Sequence, residues 1–423
     1  MATDVDVQYF SHLNGLTLGN NWGDLIRLLD KALVTGIDFT QITDASIDAQ
    51  GDVHITLYAA HNAMLFQVVE LTGFAPASFN QKYRIKGVPN TTQLILKPHA
   101  AITETSITTI GAGKLAPLGY EIIFRDLGDV KRVYRAKNPT AQHPFIRVDE
   151  SLTSPDGTTG VYTSTYAKFA MVGLLEHMDH IDDYEDPNVL QLPFNPADPA
   201  KNWKISGAES TVTRGWSKWY WRRGNGFLNN AAESVVNTST NLGAFTIVGD
   251  QDKFYFQHTP TPDTTFYKVL NGCGLYQTAL VDSVIPNWFL MTTMLDVNAS
   301  VYQPFNNISN GTPLAGIQSG FFTTKQAPLI KLSEHALAFP FMPDNKSGKG
   351  SFNSNNIAAL EIPFRDSDNY IRGTLETVAY SGNIKNTDLY TTPLISENSM
   401  YVWDSAYVDA GQGGFYFYLG ELE

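Results

Sequence analysis

The sequence predicts a mainly β protein with several antiparallel domains, and three observations lead to that prediction. Aromatic residues are abundant, with 20 Tyr, 24 Phe and 7 Trp in 423 residues. Charged residues make up only 17% of the chain, below the usual quarter or so of a globular protein. Short apolar runs are separated by turns rich in Gly, Asn and Pro, which is typical of antiparallel strands. We therefore expect β-sandwich or barrel-like domains with one short amphipathic helix near the N-terminus.

The helix is expected at residues 21–35. An asparagine can cap its start, and Gly36 can end it in a left-handed turn. Apolar residues recur between them at the spacing of one helical face: Trp22, Leu25, Ile26, Leu29, Ala32 and Leu33.

The order of patterns along the chain suggests three parts. The helix and four short β-runs, at 52–59, 65–73, 82–88 and 92–98, predict a small α+β domain over residues 1–98. Residues 99–118 are rich in Thr, Ala and Gly with weak patterning, and we expect a linker or an extended arm. Residues 119–423 read as a large β-rich domain, which a split near 260–300 would divide into two.

Composition and charge exclude several classes of protein. The formal net charge of −13 argues against a nucleic-acid binder, which needs a basic surface to neutralise phosphates. Cys273 is the only cysteine, so neither an intrachain disulfide nor a cysteine-based zinc site is expected. No apolar run approaches the ~20 residues of a membrane-spanning helix. We expect a protein made in a reducing cytoplasm, without a membrane span and without a cofactor.

The densest group of potential metal ligands is "EHMDHIDDYEDP" at residues 176–187. The candidates in it are His177, Asp179 and His180, but the two histidines are three residues apart, where a helical zinc site uses four. On a strand they would point to opposite faces, and Pro187 disfavours a helix there. A calcium loop would need a glycine at its sharp turn. We favour a polar loop that follows a buried strand at 166–175, and a cation site stays open as the alternative.

The most unusual aromatic segment is "GWSKWYWRRG" at residues 215–224. Tryptophan, tyrosine and arginine dominate the energetics of protein interfaces, and they also form cation–π pairs inside a single chain. We expect an interface anchor, with internal packing and a glycan-stacking platform as alternatives. The candidate interface residues are Trp216, Trp219, Tyr220, Trp221, Arg222 and Arg223.

No local motif indicates catalysis. "GAGKL" (111–115) lacks the first glycine and the Ser or Thr of a phosphate-binding loop. "GIQSG" (316–320) has its serine one place too late for a nucleophile elbow. Cys273 stands between glycines, with no histidine or lysine close by in the sequence to activate it. We therefore expect no catalytic residue and do not expect an enzyme.

The segment at residues 61–96 resembles a module found in structural proteins of tailed-bacteriophage virions. The resemblance rests on seven residues within "HNAMLFQVVELTGFAPASFNQKYRIKGVPNTTQLIL": His61, Gly73, Pro76, Phe79, Asn80, Tyr83 and Ile85. Further segments follow the order seen in that group, at 28–39, 133–150, 174–182, 202–207, 245–256 and 368–382.

The resemblance implies a structural component of the virion, and the position that we expect first is the tail or baseplate. Its partners would be copies of itself in a symmetric ring and other virion proteins. A neck or capsid-decoration protein would have the same chemistry at a different position in the particle. A module that binds host glycans is a further alternative, with residues 216–223 as its platform.

Overall fold

The structure is a computed structural model. It describes residues 3–153, 164–206, 213–222, 241–260, 268–280, 286–292, 294–295, 320–325, 334–341, 359–381, 391–408 and 411–423.

In the part of the chain that the structure describes, helical structure is confined to short segments. The main one is α1 (Asp24–Leu29), which continues as a π-helix (Asp30–Thr35); 3-10 turns lie at His12–Asn14, Ala77–Phe79 and Lys201–Trp203.

Antiparallel strands form the remaining regular structure of the described residues, so the predicted mainly β class is confirmed. The strands of the first half are β1 (Gln8–Ser11), β2 (Ile37–Asp38), β3 (Ile42–Ile47), β4 (Val53–Leu57), β5 (Val68–Thr72), β6 (Lys82–Asn90), β7 (Gln93–Pro98), β8 (Ala112–Leu115), β9 (Tyr120–Arg125), β10 (Lys131–Ala136), β11 (Phe145–Asp149), β12 (Lys168–Leu175), β13 (Gln191–Leu192), β14 (Ile205–Ser206), β15 (Thr213–Arg214) and β16 (Ser217–Arg222). Those of the second half are β17 (Phe245–Gly249), β18 (Lys253–His258), β19 (Val269–Leu275), β20 (Gln277–Thr278), β21 (Trp288–Met291), β22 (Met294–Leu295), β23 (Phe321–Thr323), β24 (Ala336–Pro340), β25 (Leu360–Asp366), β26 (Ile371–Tyr380), β27 (Thr392–Ser396), β28 (Ser399–Val408) and β29 (Gly411–Glu421).

Three large sheets organise these strands. The N-terminal sheet has the order β2-β8-β5-β6-β7-β4-β3. The central sheet has the order β22-β16-β12-β11-β10-β9, with β13 added beside β12. The large sheet runs β1-β17-β18-β19-β21-β23-β24-β25-β26-β29-β28-β27, with β20 beside β26, and β14 and β15 form a separate pair.

The amphipathic helix lies where its apolar pattern predicts, although helical structure begins at Asp24, within the predicted 21–35. Leu25, Ile26 and Leu29 are buried in a core that also includes residues of the N-terminal sheet, the central sheet and the β17–β18 hairpin. Because one continuous core joins these parts, the helix belongs to the interior of the whole chain.

Two strands pair across the predicted domain boundaries. β1 lies within residues 1–98, yet it pairs with β17 of the large sheet, with Gln8 opposite Gly249. β8 lies within the predicted 99–118 linker, yet it pairs with both β5 and β2 near the edge of the N-terminal sheet. The 99–118 segment is therefore part of a sheet at its C-terminal end. Part of the predicted split at 260–300 lies outside the described residues.

The segment that carries the resemblance, residues 61–96, includes a braced turn and a buried face. Gly73 has a φ of 75°, in the region that glycine adopts without strain. The Asn80 side chain accepts a hydrogen bond from the Phe74 N–H at 2.7 Å and donates one to the Phe74 carbonyl at 2.9 Å. Tyr83 and Ile85 are fully buried on β6, as their pattern predicts.

A buried network of polar side chains links the two ends of the large sheet. Ser11 on β1 and Thr391, just before β27, have their hydroxyl oxygens 2.8 Å apart. The Thr246 hydroxyl on β17 donates to Asp404 of β28 at 2.7 Å, and Asp404 pairs with Lys268 beside β19. Because these groups are all buried and paired, they satisfy one another where the curled sheet packs on itself.

Candidate functional site

The acidic segment 176–187 leaves β12 as a loop that is fastened to the central sheet. Asp182 is its anchor, because its carboxylate lies 2.6 Å from the guanidinium of Arg147 and 2.8 Å from the ammonium of Lys131. Burial acts to raise the pKa of Asp182, but the hydrogen bonds and charges of Lys131 and Arg147 outweigh it and lower that pKa. The carboxylate is therefore ionised and held.

Arg147 is the centre of this attachment. It is fully buried on β11, and its guanidinium lies against the rings of both Tyr184 (4.7 Å) and Trp203 (4.4 Å), which also contact each other. It also donates to the Ile181 carbonyl at 2.7 Å and pairs with Asp149 at 2.9 Å. A buried arginine with stacked rings and two carboxylates has the partners that a desolvated charge needs.

The predicted metal candidates do not converge. His177 and Asp179 form a 3.0 Å pair with each other, and their side chains are 60% and 79% exposed. His180 uses Nδ1 to accept a hydrogen bond from the Asp182 N–H at 3.3 Å. Among the described residues, no group of three or more His, Cys, Asp or Glu side chains has the arrangement of a metal site. The arrangement favours the polar loop over the cation site.

The aromatic strand β16 is internal, and this corrects the expectation of an interface anchor. The buried side chains are Trp216, Trp219, Tyr220, Trp221 and Arg222, and Arg223 lies outside the described residues.

The packing of β16 explains this burial. Trp219 meets Phe254 edge-on at 5.9 Å and donates its indole N–H to the Met291 carbonyl at 2.9 Å. Tyr220, on the other face, lies 4.8 Å from Phe169. A strand with large apolar residues on both faces is one that is covered on both sides. That continuous pattern was the signal in the sequence for burial.

Buried basic side chains surround the paired strands β12 and β16. Arg214 and Lys218 lie over the Phe169 ring, at 4.5 and 5.6 Å from its centroid. Lys168 is 5.4 Å from the Trp22 ring, and burial lowers its pKa to about 8. Arg222 donates to the carbonyls of Leu18 and Gly19, the latter at 2.9 Å. These basic groups hold elements of this chain together.

The buried Glu150 side chain joins β11 to the start of α1. Its carboxylate accepts hydrogen bonds from the N–H groups of Gly23 and Ile26, the latter at 3.0 Å. Complete burial raises the pKa of Glu150 to about 8, against the lowering effect of those two N–H groups. The side chain thus serves as a cap for the first turn, which has no side-chain cap of its own.

An exposed apolar patch on the large sheet was missed by the sequence analysis. We define the exposed patch as Leu280, Phe339, Phe341, Arg365, Tyr370 and Ile371. Phe339, Arg365 and Ile371 are direct cross-strand neighbours on β24, β25 and β26, so their side chains share a face. Arg365 lies over the Phe339 ring at 5.2 Å.

The remaining members adjoin that row. Phe341 donates its N–H to the Pro363 carbonyl of β25 at 2.8 Å. Leu280 follows Ala279, whose N–H donates to the Arg372 carbonyl of β26 at 2.8 Å. Tyr370 and Ile371 are 69% and 62% exposed, Phe341 and Leu280 are exposed by nearly half, and Phe339 and Arg365 are half-buried. Single exposed apolar residues are ordinary, whereas a contiguous group marks an interaction surface.

Other sequence expectations concern single residues. Cys273 is fully buried on β19, and burial raises the pKa of its thiol well above the ordinary value. The "GAGKL" segment includes strand β8, which leaves its backbone in a sheet ladder. Within the described residues, no helix has both the length and the apolar character needed to span a bilayer.

Comparison with known proteins identifies no family. No protein-family profile matches the chain, and no curated protein matches it. Among solved structures, the phage phi92 endosialidase aligns at 10% identity and a TM-score of 0.14, over 92% of this chain and 51% of that one. This chain thus spans about half the length of that structure. A TM-score this low carries no argument about shared fold or activity.

Proposed function

We propose that this chain is a structural component of a tailed-phage virion, part of the tail or baseplate, that acts through protein interfaces. The resemblance of residues 61–96 to virion structural proteins suggested the class. The observation that carries the proposal is the exposed patch, which offers a row of Phe, Arg and Ile with an adjacent Tyr. Aromatic residues and arginine are enriched at interfaces, and the few residues that dominate binding energy are of these types. Contact with copies of itself or with other virion proteins would cover this surface.

The alternatives differ in how much support they keep. A neck or capsid-decoration protein would use the same patch at another position in the particle. A glycan-binding module loses its expected platform, because Trp216, Trp219, Tyr220 and Trp221 are buried. A structural role requires no bond chemistry, so we propose a protein that is not an enzyme.

The direct test is to locate the protein in particles. Antibody raised against the folded chain should label intact virions at one position along the tail, as seen by electron microscopy. Peptide mass spectrometry of the same particles should detect the chain. Particles that neither bind the antibody nor contain its peptides would show that the virion assignment is wrong.

Matched variants test the exposed patch itself. Ile371→Asp should strongly reduce incorporation into particles, because it places a charge in the middle of a surface that must lose its water. Tyr58→Asp is the control, since Tyr58 is 77% exposed just after β4 of the N-terminal sheet and is not a member of the patch. Equal incorporation of both variants would remove the patch from the proposal.

A further inference from the structure

Strand β3 forms one edge of the N-terminal sheet, and no other strand lies beyond it in the part of the chain that the structure describes. It differs from two other edge strands. The large sheet ends at β27, which contains Pro393, and a proline has no N–H to offer a partner. The central sheet ends at β9, where Arg125 pairs with Asp30 of the helical segment at 3.4 Å. β3 contains neither proline nor lysine, which commonly protect an edge from further pairing.

The hydrogen-bond pattern shows which backbone groups of β3 face outward. Past a bulge at its start, β3 pairs with β4 in regular register up to Ile47. The Asp48 N–H donates to the Asp52 carbonyl at 3.0 Å, and pairs along an antiparallel ladder alternate between bonded and unbonded positions. Ala45 and Ile47 therefore occupy unbonded positions, with their N–H and C=O groups directed away from β4. None of these four groups bonds another described residue.

The apolar face of the sheet is incompletely covered at this edge. Two cross-strand rows run from β3 through β4 to β7: Ala45, Ile55 and Leu94, and Ile47, Val53 and Leu96. The members on β4 and β7 are buried, whereas the two on β3 are only half-buried. Because burial of apolar side chains is favourable, a further strand with apolar residues on this face would be stabilised by covering Ala45 and Ile47.

The charge of the β3–β4 hairpin indicates the character of that strand. Residues 42–57 contain three aspartates and no lysine or arginine. Asp48 pairs with His54, and Asp52 pairs with Lys86. Asp44 is exposed and forms no ion pair with any described residue. A second copy of the chain would bring the same acidic hairpin to the edge, and like charges repel. A basic strand has the complementary charge.

We propose that β3 pairs with an extended segment of another protein, in which apolar residues alternate with lysine or arginine. The apolar residues lie opposite Ala45 and Ile47 and exchange backbone hydrogen bonds with them. The basic residues lie on the solvent face, where one is opposite Asp44. Addition of a strand to an exposed sheet edge is a general mode of peptide recognition. The inference rests on the proposed function only in naming a virion protein as the partner.

Nuclear magnetic resonance of the full chain tests the edge with the synthetic peptide acetyl-KVKVKVK-amide. Saturating peptide should slow hydrogen exchange of the Ala45 and Ile47 N–H groups by about tenfold, the effect of one added hydrogen bond each. The same peptide with N-methylated valines cannot form the ladder and should not protect them. The peptide acetyl-EVEVEVE-amide has the same pattern with the opposite charge and should bind about tenfold more weakly.

Matched variants test the role of charge at this edge. Asp44→Lys should reverse the preference, so that the glutamate peptide binds more tightly than the lysine peptide. Asp38→Lys makes the same charge change at an exposed position on β2, at the opposite edge of the same sheet. It should keep the preference for the lysine peptide. Circular dichroism confirms that each variant is folded.

Three results would overturn the proposal. They are unchanged exchange at Ala45 and Ile47 with the lysine peptide, equal protection by the N-methylated peptide, and an unchanged preference in folded Asp44→Lys. Dimerisation of the chain alone that protects Ala45 would also overturn it, because the occupant would then be a second copy. Absence of the chain from virions would instead refute the proposed function and leave the peptide result unaffected.

Discussion

Two regions of the molecule combine aromatic rings with arginine and differ in what covers them. On the central sheet, Arg147 lies against the rings of Tyr184 and Trp203, donates to the loop that follows β12 and is fully buried. On the large sheet, Arg365 lies over Phe339 beside Ile371 and Tyr370, which face solvent. In the first region the chain supplies its own cover. The second has no such cover within the described residues, and it is therefore the better candidate for a contact with another protein.

The largest expected difference between the regions comes from matched arginine variants. Arg147→Ala should lower the free energy of unfolding by about 3–5 kcal/mol, because it leaves the buried Asp149 carboxylate without its partner. Arg365→Ala should cost less than about 1 kcal/mol, since Arg365 is half-buried at the surface, pairs with no carboxylate among the described residues, and surface charges contribute little. Urea denaturation of both variants measures this. Similar losses would mean that the two arginines share one structural role.

Aromatic truncation should give the next largest difference. Trp219→Ala removes a fully buried indole and should cost about 3 kcal/mol or more, through lost burial and the cavity left behind. Tyr370→Ala should change the free energy of unfolding by no more than about 0.5 kcal/mol. Thermal unfolding of the purified chains compares them. A large loss for Tyr370→Ala would show that the exposed patch stabilises the fold of this chain.

A smaller effect should appear as a pH dependence on the buried side. The folded-state pKa of Glu150 is raised to about 8, so its contribution to stability is complete below the ordinary glutamate pKa and is lost as the pH rises through about 8. Between pH 6 and 8 the wild type should lose up to about 1.4 kcal/mol per pH unit relative to Glu150→Gln. Parallel stability curves for the two proteins over that range would contradict the assigned pKa.

The smallest effect is expected at the acidic loop. The His177–Asp179 pair is exposed, and the His177 ring touches the core only at the edge of Phe145, so His177→Ala should change the melting temperature by less than about 2 °C. Adding a chelator should leave the melting temperature unchanged as well. A clear drop with chelator, absent in His177→Ala, would restore the cation-site alternative.

Local pattern predicted a large part of the fold. The β17–β18 hairpin lies where "GDQD" separates two apolar runs, and Phe254 and Phe256 share its buried face. β12 is buried along its whole length, as its continuous apolar run predicts. Turns, alternation and helical spacing depend on neighbours within a few residues, and these are visible in the sequence.

The pairing of distant strands could not be predicted from local pattern. Neither could the part of the molecule that covers a given strand face. Nothing near Gln8–Ser11 indicates that its partner begins at Phe245, because strand pairing depends on topology. The aromatic pattern of β16 shows that its residues must be covered, but whether by this chain or by another is decided by elements far away. The exposed patch was not predicted for the same reason, because its members come from four separate segments of the sequence.

The pairing of β1 with β17 also sets an order of events during synthesis. At about 5–20 residues per second, the roughly 240 residues between the two strands take on the order of 10–50 s to emerge from a ribosome. Throughout that interval the edge formed by Gln8–Ser11 has no native partner strand. Translation therefore sets the earliest time at which the large sheet can be completed. A chaperone would protect the Gln8–Ser11 segment most during the preceding interval, while that segment is still unpaired.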